Sequence, residues 1–321
     1  MSSWNTNISR KRIRFGYHQL KPLGTFTEKS LPATVVSAYY EMPSKYPKDH
    51  YRIWIKCFLE HCSAHIIFFC EEELKPFIET CRQAYPDRTS IQVLPRSQWI
   101  SNTKFSQLFW DSQHTIDPEK AYHSPDLYKV WYEKKEFVKR AILLNPWNHT
   151  DFVWADAGIL RSKELCSLIK DGFPHANRIP TDRMLLSNVG EFTEKDSIVR
   201  TINGVEFRGD TSGKMRIDAK VIAGSSESWK QYDILYDSIL DKYRTAKLFL
   251  GKEQTIMATL VLEHSSFVSL VEPKPIGPEF WYYLILWLGV VQPLFTRMNS
   301  DATNMKRHSY ADLLKLMPNN V

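Results

Sequence analysis

Asp156 is the residue of this chain whose type and setting most readily do chemistry. It ends the apolar run Phe152-Val153-Trp154-Ala155 and precedes two small residues, Ala157 and Gly158. In open parallel sheets ligands bind beyond the carboxyl ends of the strands, so a carboxylate at such an end stands where a site belongs. Small residues behind it let a ligand's phosphates come close to the backbone. A hard cation, Mn2+ or Mg2+, held by this carboxylate and a diphosphate would neutralise a leaving group. The alternative reading is structural, an aspartate that caps the turn or helix after it.

Two further segments carry polar groups in positions that need a reason. Lys134 falls on the apolar stripe Leu127, Val130, Trp131, Phe137, Val138, Ala141, Ile142 of an amphipathic helix. Its ammonium either snorkels past the aromatic rings to water or reaches an anion at the sheet edge. Glu253 and Gln254, after Gly251-Lys252, offer a carboxylate and an amide that could orient an acceptor hydroxyl or take its proton. The same glutamate also suits the first turn of a helix on electrostatic grounds alone. Gly224 and Ser225, after another apolar run, are weaker candidates for acceptor contacts, since both are ordinary turn residues.

Common catalytic signatures are absent. The sequence has neither G-x-G-x-x-G nor G-x-x-x-x-G-K-[ST], and it lacks G-x-S-x-G, H-E-x-x-H and C-x-x-C. The ten histidines show no zinc-ligand spacing, although His264 could join Asp156 on a metal in space. No RRM, zinc-finger or basic-helix pattern points to nucleic acid.

The elements that must position these residues alternate between strand and helix. Buried strands are expected at 33–38 and 65–70, and further strands at 90–94, 151–155, 184–187, 219–223 and 267–271. Helices are expected at 48–62, 74–85, from about 125 to 144, at 227–240 and at 251–262. Asn145-Pro146-Trp147-Asn148 breaks the long helix just before the Asp156 strand. Residues 191–213 read as a loop or hairpin insertion. Alternation of this kind predicts a mainly parallel sheet with helices on its faces.

With 321 residues, 43% of them hydrophobic, the chain can bury one large core. The net charge of +6 is spread along it, either a mildly basic solvated surface or help for an anionic ligand such as a nucleotide diphosphate. Five cysteines without motif spacing suggest a reducing compartment. The polar, basic start of the chain shows no secretory pattern, which predicts a cytoplasmic location. The uncharged run 280–295 (FWYYLILWLGVVQPLF) reads as a packed or dimerising helix, a membrane-surface element or a short span.

The block from His123 to Gly158 (HSPDLYKVWYEKKEFVKRAILLNPWNHTDFVWADAG) resembles the HtrL/YibB-like family, which is regarded as related to glycosyltransferases. ATVVSAYYE (33–41), FFCEEE (68–73), IAGSSESW (222–229) and GKEQTIM (251–257) extend the resemblance over most of 30–275. It implies a GT-A-like α/β fold in residues 31–275, between an N-terminal arm (1–30) and a C-terminal apolar helix and tail (276–321). It further implies that Ser37, Ala38 and Tyr39 lie by the nucleotide of a nucleotide-sugar donor. Asp156 matches the first Asp of a D-x-D motif that holds Mn2+ or Mg2+ and the donor diphosphate, and Gly158 replaces the second. Lys134 and the pair Glu253-Gln254 match the family's lysine and acidic-Gln positions, as donor and acceptor contacts. Two functions follow: glycosyl transfer to a hydroxyl on a glycan, lipid or protein, or a catalytically silent module binding nucleotide or glycan.

Overall fold

The computed structural model describes residues 32–170, 172–208, 215–272 and 281–289. In chain order the regular elements are β1 (Thr34–Tyr39), α1 (Lys48–His61), β2 (His65–Cys70), α2 (Lys75–Cys81), β3 (Thr89–Val93), α3 (Ile100–Lys104) and α4 (Gln107–Ile116). There follow α5 (Pro125–Leu144), β4 (Asp151–Ala155), α6 (Lys163–Leu168), β5 (Met184–Asn188), β6 (Val199–Ile202) and β7 (Val205–Arg208). The last are β8 (Ile217–Ser225), α7 (Ser226–Thr245), α8 (Glu253–Glu263), β9 (Val268–Val271) and α9 (Tyr283–Gly289).

Seven strands form one sheet in the order β3-β2-β1-β4-β8-β5-β9. Every neighbouring pair is parallel except those of β8, which runs against both β4 and β5. The period of two along each strand divides the side chains between two cores. Val36, Ile67, Phe152 and Trp154 pack on one face with residues of α5, α7 and α8. Val35, Ile66, Phe68, Val153 and Ala155 pack on the other with residues of α1, α2, α6 and α9. This is the mixed, mainly parallel sheet between helical layers that the alternation and the GT-A-like expectation required. Residues 199–208 form a separate antiparallel hairpin, β6 with β7, within the segment expected to be an insertion.

The long helix α5 is the most enclosed. From Tyr132 to Val138 every residue is buried, four consecutive charged residues among them. Phe137 stacks on Tyr40, Phe69 and Trp154 and meets Trp99 edge-on, which ties the helix to β1, β2 and β4. Pro125 at its first turn and Asn145 in a left-handed conformation (φ 29°) at its end delimit it, as the breaker cluster predicts.

The structure bears on two further expectations. Cys57 of α1 and Cys166 of α6 form a disulfide across 109 residues, because the fold lays those helices side by side. The reducing compartment inferred from unpaired cysteines thereby loses its premise. In the apolar run 280–295, residues 283–286 and 288 are buried in the second core, where Gly289 lies against Ile169 and Phe173. Those buried side chains pack on the domain itself, which is the packed-helix reading of the run, and no described helix is long and apolar enough to cross a membrane. Residues 1–30, 280 and 290–321 fall outside the described residues.

The disulfide makes a direct prediction. Thiol titration of the denatured, unreduced protein should find three reactive cysteines, Cys62, Cys70 and Cys81. All five reacting would show that Cys57 and Cys166 are not joined.

Candidate functional site

Strand β4 delivers Asp156 to the edge of the sheet. Its register with β8, Ala155 opposite Val221, is continued by a hydrogen bond from Asp156 N–H to the Lys220 carbonyl (2.8 Å). Ile159 N–H then closes a turn on the Asp156 carbonyl at 3.0 Å. The Asp156 side chain does not cap the next helix, a role that Ser162 fills for α6. Its Oδ1 instead accepts a hydrogen bond from Trp154 Nε1 at 2.8 Å and lies 3.0 Å from Lys134 Nζ.

Lys134 does not snorkel. Its ammonium is buried and donates to Glu253 Oε1 at 2.8 Å and to the Ala219 carbonyl at 3.1 Å, in addition to its contact with Asp156. The three donors of the ammonium thus meet three oxygens, from α8, β8 and the end of β4. Burial by itself would lower the lysine's pKa, and the two carboxylates reverse this and hold it above its ordinary value. Glu253, at the first turn of α8, is shifted up by burial against the pull of Lys134. The Asp156 side chain keeps 33% of its surface exposed, against 7% for Glu253, so Asp156 is the member of the triad a ligand can reach. Gln254 follows Glu253 half-buried.

At the end of β1 the predicted residues divide their work. Ser37 is buried and donates to the Ala155 carbonyl at 2.6 Å, pinning β1 to β4. Ala38 packs at the margin of the first core. Tyr39 stacks on Tyr51 with ring centres 5.9 Å apart, and burial raises its phenol to about 12.

Tyr51 opens an aromatic surface that the motif search missed. Tyr51 and Trp54, three apart on α1, pack edge-on at 5.3 Å, and Tyr46 meets Trp54 at 5.2 Å. A Cβ placed on Gly158 would lie 3.4 Å from Tyr51 and 3.6 Å from Trp54, so the turn after Asp156 rests on these rings. Arg161, five residues beyond Asp156, lays its guanidinium over Trp54 at 4.4 Å and over Tyr46 at 5.0 Å. Lys220 of β8 places its ammonium 3.9 Å from the Trp281 ring and 3.7 Å from Asp218. Asp218 is buried and its carboxyl is raised to about 6 by desolvation. The usable sequence signal was the Tyr46-Tyr51-Trp54 grouping at the head of a helix directly after the first strand.

Gly224 and Ser225 are not part of this cluster. Because β8 is antiparallel, its C-terminal end lies beside the start of β4, with Ser225 opposite Asp151. Five strand residues, about 16 Å, separate that edge from Asp156. Ser225 caps α7 and donates to the Thr181 carbonyl, and Gly224 lies against Met184. His264 ends α8 at the far end from Glu253, roughly 16 Å along the helix.

The residues present fit a D-x-D metal site poorly. Asp156 Oδ1 already serves Trp154 and Lys134, Gly158 offers no ligand, and a side chain at 158 would start towards Tyr51 and Trp54. Among the described residues the one group of three candidate metal ligands is Cys57, His61 and Cys166, and its two sulfurs are joined to each other in the disulfide.

No family model matches the chain, and no curated protein matches it. Among solved structures, the apo form of mouse xyloside xylosyltransferase 1 is similar at 9% identity and a TM-score of 0.43. The match covers 81% of this chain and 94% of that one. At that degree of overlap the likeness carries nothing about activity.

The triad predicts a specific stability defect. Lys134→Met leaves two carboxylates facing each other without a cation and should cost about 3 kcal/mol, near the lower end for a broken buried pair because Asp156 keeps water. A carboxyl held above its unfolded value contributes stability below the unfolded pKa, about 4.3 for Glu, and loses it as pH rises through the folded value. The gap between variant and parent in urea unfolding should therefore widen from pH 5 to pH 8. A gap independent of pH would show that Glu253 does not feel Lys134.

Proposed function

We propose that this protein transfers a glycosyl group from a nucleotide-sugar to a hydroxyl acceptor on a glycan, lipid or protein. The observation that carries the proposal is Asp156 itself. It is a part-exposed carboxylate at the carboxyl end of a central strand, charge-paired to a buried lysine, beside aromatic rings and two further cations. Each component answers a part of such a donor. Aromatic faces at Tyr39, Tyr51 and Trp54 suit a nucleobase, since every base has a π-face to stack. Arg161 and Lys220 suit a diphosphate, Arg by its planar fork and Lys as a point charge. The exposed side of the Asp156 carboxylate suits hydroxyls, which donate to it.

The resemblance of 123–158 and 251–257 to the HtrL/YibB-like family supports the same reading, because its lysine position, Lys134, joins Asp156 to Glu253 of its acidic-Gln pair. Catalysis would consist mainly of placing the donor and stabilising the charge that develops on the departing diphosphate. Glu253 is bound to Lys134 and buried, so its part is to orient that lysine. Gln254, half-buried beside it, is the better candidate for contact with an acceptor.

The test is a panel of UDP-, GDP- and CDP-sugars, scored for nucleotide release with and without glycan acceptors. One donor should be consumed, and Asp156→Ala should lower its turnover by about 10²-fold or more while the fold persists by circular dichroism. If no donor is consumed but a nucleotide still binds, the silent binding module is the correct function.

A further inference from the structure

Resting on that reading, we propose that the site binds the donor diphosphate without a divalent cation, through Arg161 and Lys220. In a metal-dependent site of this geometry, two carboxylates two residues apart hold a cation against the phosphates. Here the second position is Gly158, and the first carboxylate already has a permanent cation, the Lys134 ammonium, 3.0 Å from its Oδ1. That ammonium is locked in place by Glu253 and the Ala219 carbonyl, so it cannot swing away to admit another positive ion. A divalent ion at Asp156 would sit against a buried like charge.

The charge that a metal would have supplied is present instead on the other side of Asp156. Arg161 is exposed, its guanidinium over the Trp54 and Tyr46 rings, and it pairs with no carboxylate among the described residues. Its Nη1 donates to the Tyr46 hydroxyl at 3.4 Å, and the other N–H donors of the fork remain for an anion. Lys220 is half-buried, and burial lowers its pKa against the pull of Asp218 and Asp156, with Arg161 adding a smaller push downwards. Asp218, the carboxylate beside it, stands 3.7 Å away and is itself pushed towards neutrality by burial. Asp156 N–H binds the Lys220 carbonyl, and the Gly158 turn rests on the Trp54 ring that Arg161 covers, so both cations flank the turn after β4. An exposed guanidinium and a half-buried ammonium on the two sides of that turn suit the two phosphates of a diphosphate.

Calorimetric titration of the full chain with UDP, GDP and CDP, in chelator and again in manganese, tests this. The proposal expects one nucleoside diphosphate to bind with a Kd that changes by no more than about twofold between the two conditions. Arg161→Gln and Lys220→Gln should each weaken that binding by about tenfold, as expected for loss of a charged hydrogen bond, and steepen no dependence on metal. Gly158→Asp, whose side chain starts towards Tyr51 and Trp54, should not create a manganese requirement. Binding that is lost in chelator and restored by manganese overturns the cation-free site and leaves the transferase reading intact. Binding of no nucleotide in either condition overturns both. The comparison of conditions uses the unaltered protein, so it does not depend on the variants folding.

Discussion

The contact on which the rest of the site depends is the buried ammonium of Lys134. It joins three elements: the end of β4 through Asp156, the start of α8 through Glu253, and β8 through the Ala219 carbonyl. Burying that charge is costly unless each donor is matched, and all three are. The cost of such matching is rigidity. Asp156 cannot choose its orientation freely, and α8 cannot shift against the sheet without stranding a charge. Around this fixed point the carboxyl edge of the sheet gathers what comes to it from β1, from the turn after β4 and from β8.

The arrangement of strands explains why these groups converge. β1 and β4 are parallel neighbours, so Tyr39 and Asp156 emerge at the same edge. β8 runs the other way, so its first residues, Asp218 and Lys220, reach that edge while its last residues leave from the opposite one. A single reversed strand thus brings a cation to the site from the middle of the chain. The helices complete the division: α5 and α8 supply the buried charges on one face, and α1 supplies aromatic rings on the other.

Much of the framework was legible in the residues. The runs 65–70 and 151–155 are strands at the expected positions because short, fully buried apolar stretches bounded by breakers have few other uses. The anomaly of Lys134 on an apolar stripe correctly flagged a residue with a buried partner, though not which one, since Asp156 and Glu253 lie 22 and 119 residues away along the chain. Ser225 was misplaced for a reason intrinsic to sequence reading: a strand's residues do not declare its direction, and the rule about carboxyl ends applies only to the parallel ones. Arg161 and Lys220 were passed over because a lone basic residue in a loop or strand has no period to mark it. Cys57 and Cys166 likewise meet only through tertiary structure, across the packing of α1 on α6.

The account reduces to a claim about where a donor lies and what neutralises it. A crystal structure of the protein with an intact nucleotide-sugar, grown in the presence of manganese, tests that claim most directly. The account predicts the base against Tyr51 and Trp54, the diphosphate between Arg161 and Lys220 with no metal on it, and the sugar hydroxyls at Asp156. Manganese bridging Asp156 and the diphosphate, or a nucleotide seated away from the carboxyl edge of β1 and β4, would contradict it.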